Sequence, residues 1–335
     1  MKIGFVIIVF AAVVASFTTL TKHNKANNPK AISDAIIKSF ALLQPSNRTF
    51  LKNAEVCHSC HHQNLTAVSL SIAKNKGIPI NDSVLNETLE YINGTVHDRK
   101  DYAAQNNDPV AIVMSGAYNL WSFWENQYPA NKNIELLAKN LMQRQTQQGS
   151  WVSPNPRPPL EYYDFTATAL VLKGINTYAP SSLQKEVLLR TEKARSWLIQ
   201  AVPEANEEKA FQLLGLTWAN ADGKIIQQQA KKLLAAQHRD GGWSQLDSLP
   251  TDAYATGQSL YALYQCGVLK VEDGAYQKGI SFLLRTQLKD GSWFIKSRSF
   301  ASVPFVESNF PHGGNQFISA AGANWATMAL LMAMQ

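Results

Sequence analysis

Apolar residues recur at helical spacing along this chain, in segments punctuated by glycine turns. Three segments share one plan. They are Leu141-Met-Gln-Arg-Gln145-Thr-Gln-Gln-Gly149-Ser-Trp151, Leu233-Leu-Ala-Ala-Gln237-His-Arg-Asp-Gly241-Gly-Trp243 and Leu283-Leu-Arg-Thr-Gln287-Leu-Lys-Asp-Gly291-Ser-Trp293. Each reads as an amphipathic helix ending near a glutamine, then a glycine turn, then a tryptophan. Glycine supplies the left-handed conformation that stops a helix. A second apolar helix follows each segment, over 165–178, 253–266 and 318–334. Self-similarity of this kind predicts stacked helix pairs.

The spacing locates the remaining copies. Trp243 and Trp293 are 50 residues apart, but Trp151 and Trp243 are 92 apart, which leaves room for one degenerate copy. That copy is a helix over 187–201 followed by one over 207–219. Upstream, 84–93 pairs with 109–124, and 36–44 pairs with 64–74. Six pairs at this period can close into a ring of six outer and six inner helices. The expected fold is therefore all-α, an (α/α)6 toroid forming a single domain over 33–335. A closed ring needs no capping repeats, in keeping with the lack of polar terminal helices.

The three Gln–Gly–Trp segments resemble the QW repeats of squalene-hopene cyclases and the related repeats of prenyltransferases. The resemblance covers roughly 33–335 and is clearest over 141–335. It implies a ring whose Gln and Trp residues tie neighbouring pairs together, with a central cavity lined by inner helices and top loops. It does not carry the family's chemistry. The alkene-protonating Asp-x-Asp-Asp run of class II triterpene cyclases is missing, and only the isolated Asp164 and Asp252 stand near its place. The whole chain also resembles a bacterial group of exported toroid proteins that carry a Ser-Cys-His-His-Gln segment.

That segment is the most specific chemistry in the sequence. Residues 57–61 read Cys-His-Ser-Cys-His. A Cys-x-x-Cys-His run is the attachment signal for c-type haem. Cys57 and Cys60 would carry the two thioether links, and His61 would become an axial iron ligand. The same residue types suit tetrahedral zinc, with His61 or His62 and His312 completing the set, so zinc is the alternative cofactor. The chain holds only three cysteines, too few for a disulfide framework. The third, Cys266, reads as a buried core thiol.

The N-terminus agrees with attachment outside the cytoplasm. Met1-Lys2 precede an apolar run over 3–17 that ends in small residues, the pattern of a secretory signal peptide. The run is shorter than the roughly 20 residues that span a bilayer, although an uncleaved anchor would give the only membrane contact. Residues 1–20 are thus read as signal or anchor and 21–32 as a polar tether. The expected location is periplasmic or associated with the cell envelope. The net charge is +6, but its positive residues are dispersed, which argues against nucleic-acid binding. Asn-x-Ser/Thr sequons begin at Asn47, Asn64, Asn81, Asn86 and Asn93, and matter only in a eukaryotic secretory pathway.

Placing the motif on the ring makes the expectation sharper. Gln44 aligns with the repeat glutamines, and Phe50 falls near the tryptophan position. The motif then leads into the first inner helix, on the face where the long last loop, 297–318, also lies. Closure would bring Pro311-His312-Gly313 beside it. His312 is the favoured second axial ligand or distal polar group, with Met142, Met328 and His62 as rivals. Asp164 and Asp252 each precede an inner helix. They read either as helix caps or as carboxylates facing one cavity for acid–base work, with Glu307 and Arg298 nearby. The expected function is an exported c-type haem protein with an electron-transfer or redox role, served by a redox partner protein or a small molecule in the ring cavity. The alternatives are a zinc-binding toroid, or a cofactor-free hydrolase-like enzyme or ligand-binding module.

Overall fold

Each Gln–Gly–Trp segment folds into the same clamp. The indole N–H of Trp151, Trp243 and Trp293 donates to the carbonyls of Leu141, Leu233 and Leu283, at 2.6, 2.8 and 2.9 Å. Each of these last-turn carbonyls also accepts a backbone N–H, from Arg144, Ala236 or Gln287, so the indole adds a second bond that pins the tryptophan to the outer helix preceding it. The glutamine amide makes two bonds. Gln145 donates to Gly149 O and Arg190 O, Gln237 to Gly241 O and Ala275 O, and Gln287 to Gly291 O and Ala35 O. One bond closes its own turn, and the other grips the outer helix of the next pair. For Gln287 the next outer helix is the first of the chain, so this bond closes the ring. The glycine is obligatory at this joint. Gly291 has φ +95°, and a Cβ there would sit 2.6 Å from the Lys38 carbonyl.

The structure, a computed structural model, describes residues 28–54, 60–105, 112–153, 157–299 and 305–334. The pairs are α1 (Pro29–Asn53) with α2 (Leu65–Asn75), and α3 (Asp82–Asp98) with α5 (Ile112–Glu125), separated by the short α4 (Lys100–Ala104). Then follow α6 (Lys132–Gln143) with α7 (Asp164–Tyr178), and α8 (Gln184–Gln200) with α9 (Asn206–Trp218). The last are α10 (Gly223–Ala235) with α11 (Ala253–Gln265), and α12 (Gly274–Thr286) with α13 (Gln316–Met332). Two short strands, β1 (Trp243–Ser244) and β2 (Thr251–Asp252), pair antiparallel and set Asp252 at the start of α11. The fold is the six-pair α/α toroid.

Burial separates the two rings of helices. The inner helices α2, α5, α7, α9, α11 and α13 pack each on the next, and α13 on α2. An inner helix has neighbours on every side, so it must be apolar nearly all round. In α13 every residue but Phe317 is buried. Outer helices carry narrow stripes: α8 buries only Val187, Ala194 and Leu198, and α10 only Ala230 and Leu233. Small residues and hydroxyls let the inner helices approach, as where Ser69 Oγ of α2 donates to Asn324 Oδ1 of α13 at 2.7 Å across the closure. At mid-height Trp121, Phe211, Tyr261 and Trp325 meet on the axis with ring centroids 5.5–6.4 Å apart. The central cavity implied by the cyclase resemblance is filled with aromatic side chains at this level. Truncating one such buried ring to Ala costs about 3–5 kcal/mol.

The first pair departs from the expected plan. Its outer helix does not stop near Gln44 but runs through Pro45 to Asn53, with no glycine turn. Gln44 still reaches the next pair, accepting from Asn81 N at 2.7 Å. Phe50 therefore sits within the helix and not in a tryptophan-like joint. The same helix begins at Pro29, inside the segment read as tether, with Asn28 as its side-chain cap. Residues 1–27, including the signal or anchor reading, lie outside the described residues, and among those described no helix is long and apolar enough to cross a membrane. Cys266 is half-buried rather than fully buried. It caps the end of α11, its thiol donates to Leu263 O at 3.2 Å, and burial raises its pKa.

Candidate functional site

Cys60, His61, His62, Gln63 and Asn64 form one π-helical turn that runs directly into α2. Such turns are rare and cluster at functional sites. This one is held from three sides. From α1, Asn47 Nδ2 donates to His62 O at 2.9 Å, and Gln63 Nε2 donates back to Asn47 O at 3.2 Å. From α5, Asn119 Oδ1 accepts from Asn64 Nδ2 at 2.9 Å. From α13, Asn324 Nδ2 approaches His61 O at 3.4 Å. Asn47 and Asn324 thus reach backbone carbonyls of the turn, while Asn119 holds the Asn64 side chain. Cys57, His58 and Ser59 lie outside the described residues.

The motif's side chains are deeply enclosed. Cys60 and His61 are each 3% exposed and His62 is 2% exposed. The two imidazoles meet Nδ1 to Nδ1 at 2.6 Å. Phe50 stacks on His62, with centroids 4.9 Å apart and planes 16° from parallel. Phe317 lies 5.7 Å from His61, and Phe310 lies 6.5 Å from His62. Arg157 sits over the Phe317 ring and pairs with Glu161 at 3.6 Å. Burial, reinforced by His62 and then Arg157, drives the His61 pKa well below 6.5, and burial alone takes His62 down to about 3. Both rings are neutral near pH 7, the form that binds metal.

The last loop does reach the first pair. Asn53 Nδ2 donates to Glu307 O at 2.8 Å, and Phe310 and Phe317 line the histidine pair. His312 is one ring further out. It has φ +87°, its Nε2 faces Ser292 Oγ at 3.3 Å, and the Phe310 ring lies 6.5 Å from both His312 and His62. Its Nδ1 is buried with no hydrogen-bond partner, and burial lowers its pKa against the pull of Asp290. Met142 is buried on the outer helix α6, and Met328 lies about three turns along α13 from Phe317. Among the described residues, no group of three or more His, Cys, Asp or Glu side chains is placed to hold a metal ion.

A second polar cluster sits at the entrances of α7, α9 and α11. Asp164, the first residue of α7, accepts from Ser153 N–H at 2.8 Å and so anchors the loop before the helix. Asp252 caps α11: its Oδ1 accepts from Ala255 N–H and its Oδ2 from Gln245 Nε2, both at 2.8 Å. Burial raises both carboxyls, Asp252 to about 6. Arg298 donates to Gln245 Oε1 at 2.8 Å and approaches Tyr163 OH at 3.3 Å.

Between the two aspartates stands a carboxylate that the sequence reading passed over. Glu207 is fully enclosed, with Thr166 donating to Oε1 and Tyr254 to Oε2, each at 2.7 Å. Burial raises its pKa to about 7, against those two hydroxyls, Gln258 and Arg298. Tyr118 OH, buried without a hydrogen-bond partner, feels both Glu207 and Cys60. Glu207 and Cys60 are thus both near enough to Tyr118 to act on it electrostatically, which puts the carboxylate cluster and the Cys60–Asn64 turn at one end of the ring. The missed signal was positional. Phe165, Glu207 and Tyr254 are each the second residue of an inner helix, and all three are buried.

No protein-family model matches the chain, and no curated protein matches it by sequence. Solved structures do match. The type II terpene cyclase MstE from Scytonema, in a variant complexed with its substrate geranylgeranyl dihydroxybenzoate, aligns with TM-score 0.56 at 13% identity, over 91% of this chain and 99% of that one. Its apo form aligns with TM-score 0.56 at 12% identity, over 91% and 99%. The unsaturated glucuronyl hydrolase of Bacillus sp. GL1, which degrades glycosaminoglycan, aligns with TM-score 0.53 at 13% identity, over 88% and 96%. At these identities the likeness establishes the toroid fold alone.

Proposed function

We propose that this chain is an exported c-type haem protein built on a toroid with QW-type joints. The observation that supports it best is the Cys-x-x-Cys-His run ending in a buried π-helical turn, with Cys60 and neutral His61 enclosed by Phe50, Phe310 and Phe317. The donor set fits the group. Cys57 and Cys60 would hold it as each thiol adds S and H across a vinyl double bond, and His61 would bind the iron. When bound, the haem supplies one-electron transfer at iron.

The chain's own residues do the rest. Asn47 and Asn324 hold the backbone of the turn and Asn119 its Asn64 side chain, the phenylalanines exclude water, and Arg157 adds positive charge beside His61. His312 is the residue we propose for the second axial position, because its Nδ1 is buried and unpartnered on the loop that reaches the motif. A redox partner protein, or a small redox-active molecule, would approach from this end of the ring. Production in a host that matures c-type haem tests the reading. The wild type stains for covalent haem on a denaturing gel, and Cys60→Ser loses the double attachment. A wild type that folds and never stains refutes it.

The Glu207 cluster favours a second reading, an acid–base enzyme at the same end of the ring. A buried carboxyl that titrates near neutrality suits general acid or base work. Under that reading Glu207→Gln abolishes turnover of a substrate found by screening, and Cys60→Ser leaves it unchanged.

A further inference from the structure

The 2.6 Å contact between His61 Nδ1 and His62 Nδ1 forces a choice. Two bare imidazole nitrogens repel at that distance, so one carries a hydrogen and the other accepts it. A histidine that binds iron through Nε2 keeps its hydrogen on Nδ1. If His61 is the axial ligand, its Nδ1–H must therefore donate, and His62 must be the tautomer with a bare Nδ1. The reverse pairing would put the hydrogen of His61 on Nε2 and block ligation. The surroundings hold the His62 ring in place against His61. Phe50 stacks on its ring, Asn47 holds its carbonyl, and Phe310 stands against its edge.

We propose that His62 is a positioning residue for His61, accepting its Nδ1–H so that Nε2 is the iron-binding nitrogen and is made more basic. The inference rests on the haem reading and goes beyond it, because the attachment motif itself specifies nothing after His61. Partners of this kind orient metal-bound histidines, and losing one costs about 10- to 100-fold in metal affinity. A more basic imidazole favours ferric over ferrous iron, so His62 holds the midpoint potential down.

The test compares haem-loaded wild type, His62→Phe and His62→Asn by spectroelectrochemical titration. Phenylalanine keeps the stack on Phe50 and removes the acceptor, whereas asparagine keeps an acceptor at the δ position. The expected result is a higher potential in His62→Phe, with His62→Asn close to wild type. Each tenfold loss of ferric preference reads as 59 mV. Unchanged potential in His62→Phe, or an equal rise in both variants, overturns the proposal. Where a variant fails to fold, the wild type decides: 15N-histidine NMR of the reduced protein should show the shared hydrogen on His61 Nδ1. A hydrogen on His62 Nδ1 overturns the proposal. The haem stain of the wild type is read first, so failure of the haem reading itself is seen separately.

Discussion

Replacing Glu207 by glutamine should stabilise the protein, and only above mildly acidic pH. In the folded chain Glu207 has its pKa raised from 4.5 to about 7, because burial penalises the anion more than Thr166, Tyr254, Gln258 and Arg298 compensate it. A raised acid pKa means that the folded state holds its proton over a range where the unfolded chain has lost it. Stability is then fully present below the unfolded value and falls as pH rises toward 7, becoming flat beyond. Linkage at about 1.4 kcal/mol per pKa unit gives a loss of about 2.5 kcal/mol between pH 5 and pH 8. Glutamine keeps the shape and still offers Thr166 and Tyr254 a partner, but it never ionises. Urea unfolding of wild type and Glu207→Gln at pH 5 and 8 measures the difference directly. The variant's advantage should grow by about 2.5 kcal/mol across that range. An advantage that is the same at both pH values would show that Glu207 is not the buried titrating group described above.

Three further outcomes follow from named contacts. Gln287→Ala removes both donors that close the ring onto Ala35 and the Gly291 turn, and should cost about 1–3 kcal/mol in denaturant unfolding, with faster proteolysis between 29 and 53 than in Gln237→Ala. Gly291→Ala combines a φ of +95° with a Cβ 2.6 Å from the Lys38 carbonyl, so it should destabilise by more than the roughly 1–2 kcal/mol of left-handed strain alone, whereas Gly274→Ala, with open space around it, should not. His312→Ala in haem-loaded protein should change the absorption spectrum and spin state if His312 binds the iron, and an unaltered spectrum removes it from the axial position.

The repeat pattern made most of the fold legible, because each joint is a local device. A glutamine, a positive-φ glycine and a tryptophan appear together in sequence, and their bonds follow from that order. The degenerate copies also paired as their apolar stripes suggest, since α8 and α9 still carry one narrow and one broad buried face. The first pair was harder. Pro45 sits inside α1, and packing against α3 and the π-helical turn carries the helix past it. The site was legible only in part. Cys60 and His61 are read from spacing, but the contact between His61 and His62 depends on a turn wound more loosely than an α-helix, which no pattern of polar and apolar positions announces. Glu207 looked like an ordinary polar residue in the first turn of a helix, and only the ring brings Thr166 and Tyr254 to it from the helices on either side.

The central claim is covalent haem, and the most direct measurement is the intact mass and visible spectrum of the exported chain made in a host with c-type haem maturation. The account predicts a mass increased by one haem that survives acid–acetone extraction, with sharp Soret and alpha bands after dithionite reduction. A folded, colourless chain of unmodified mass would contradict it.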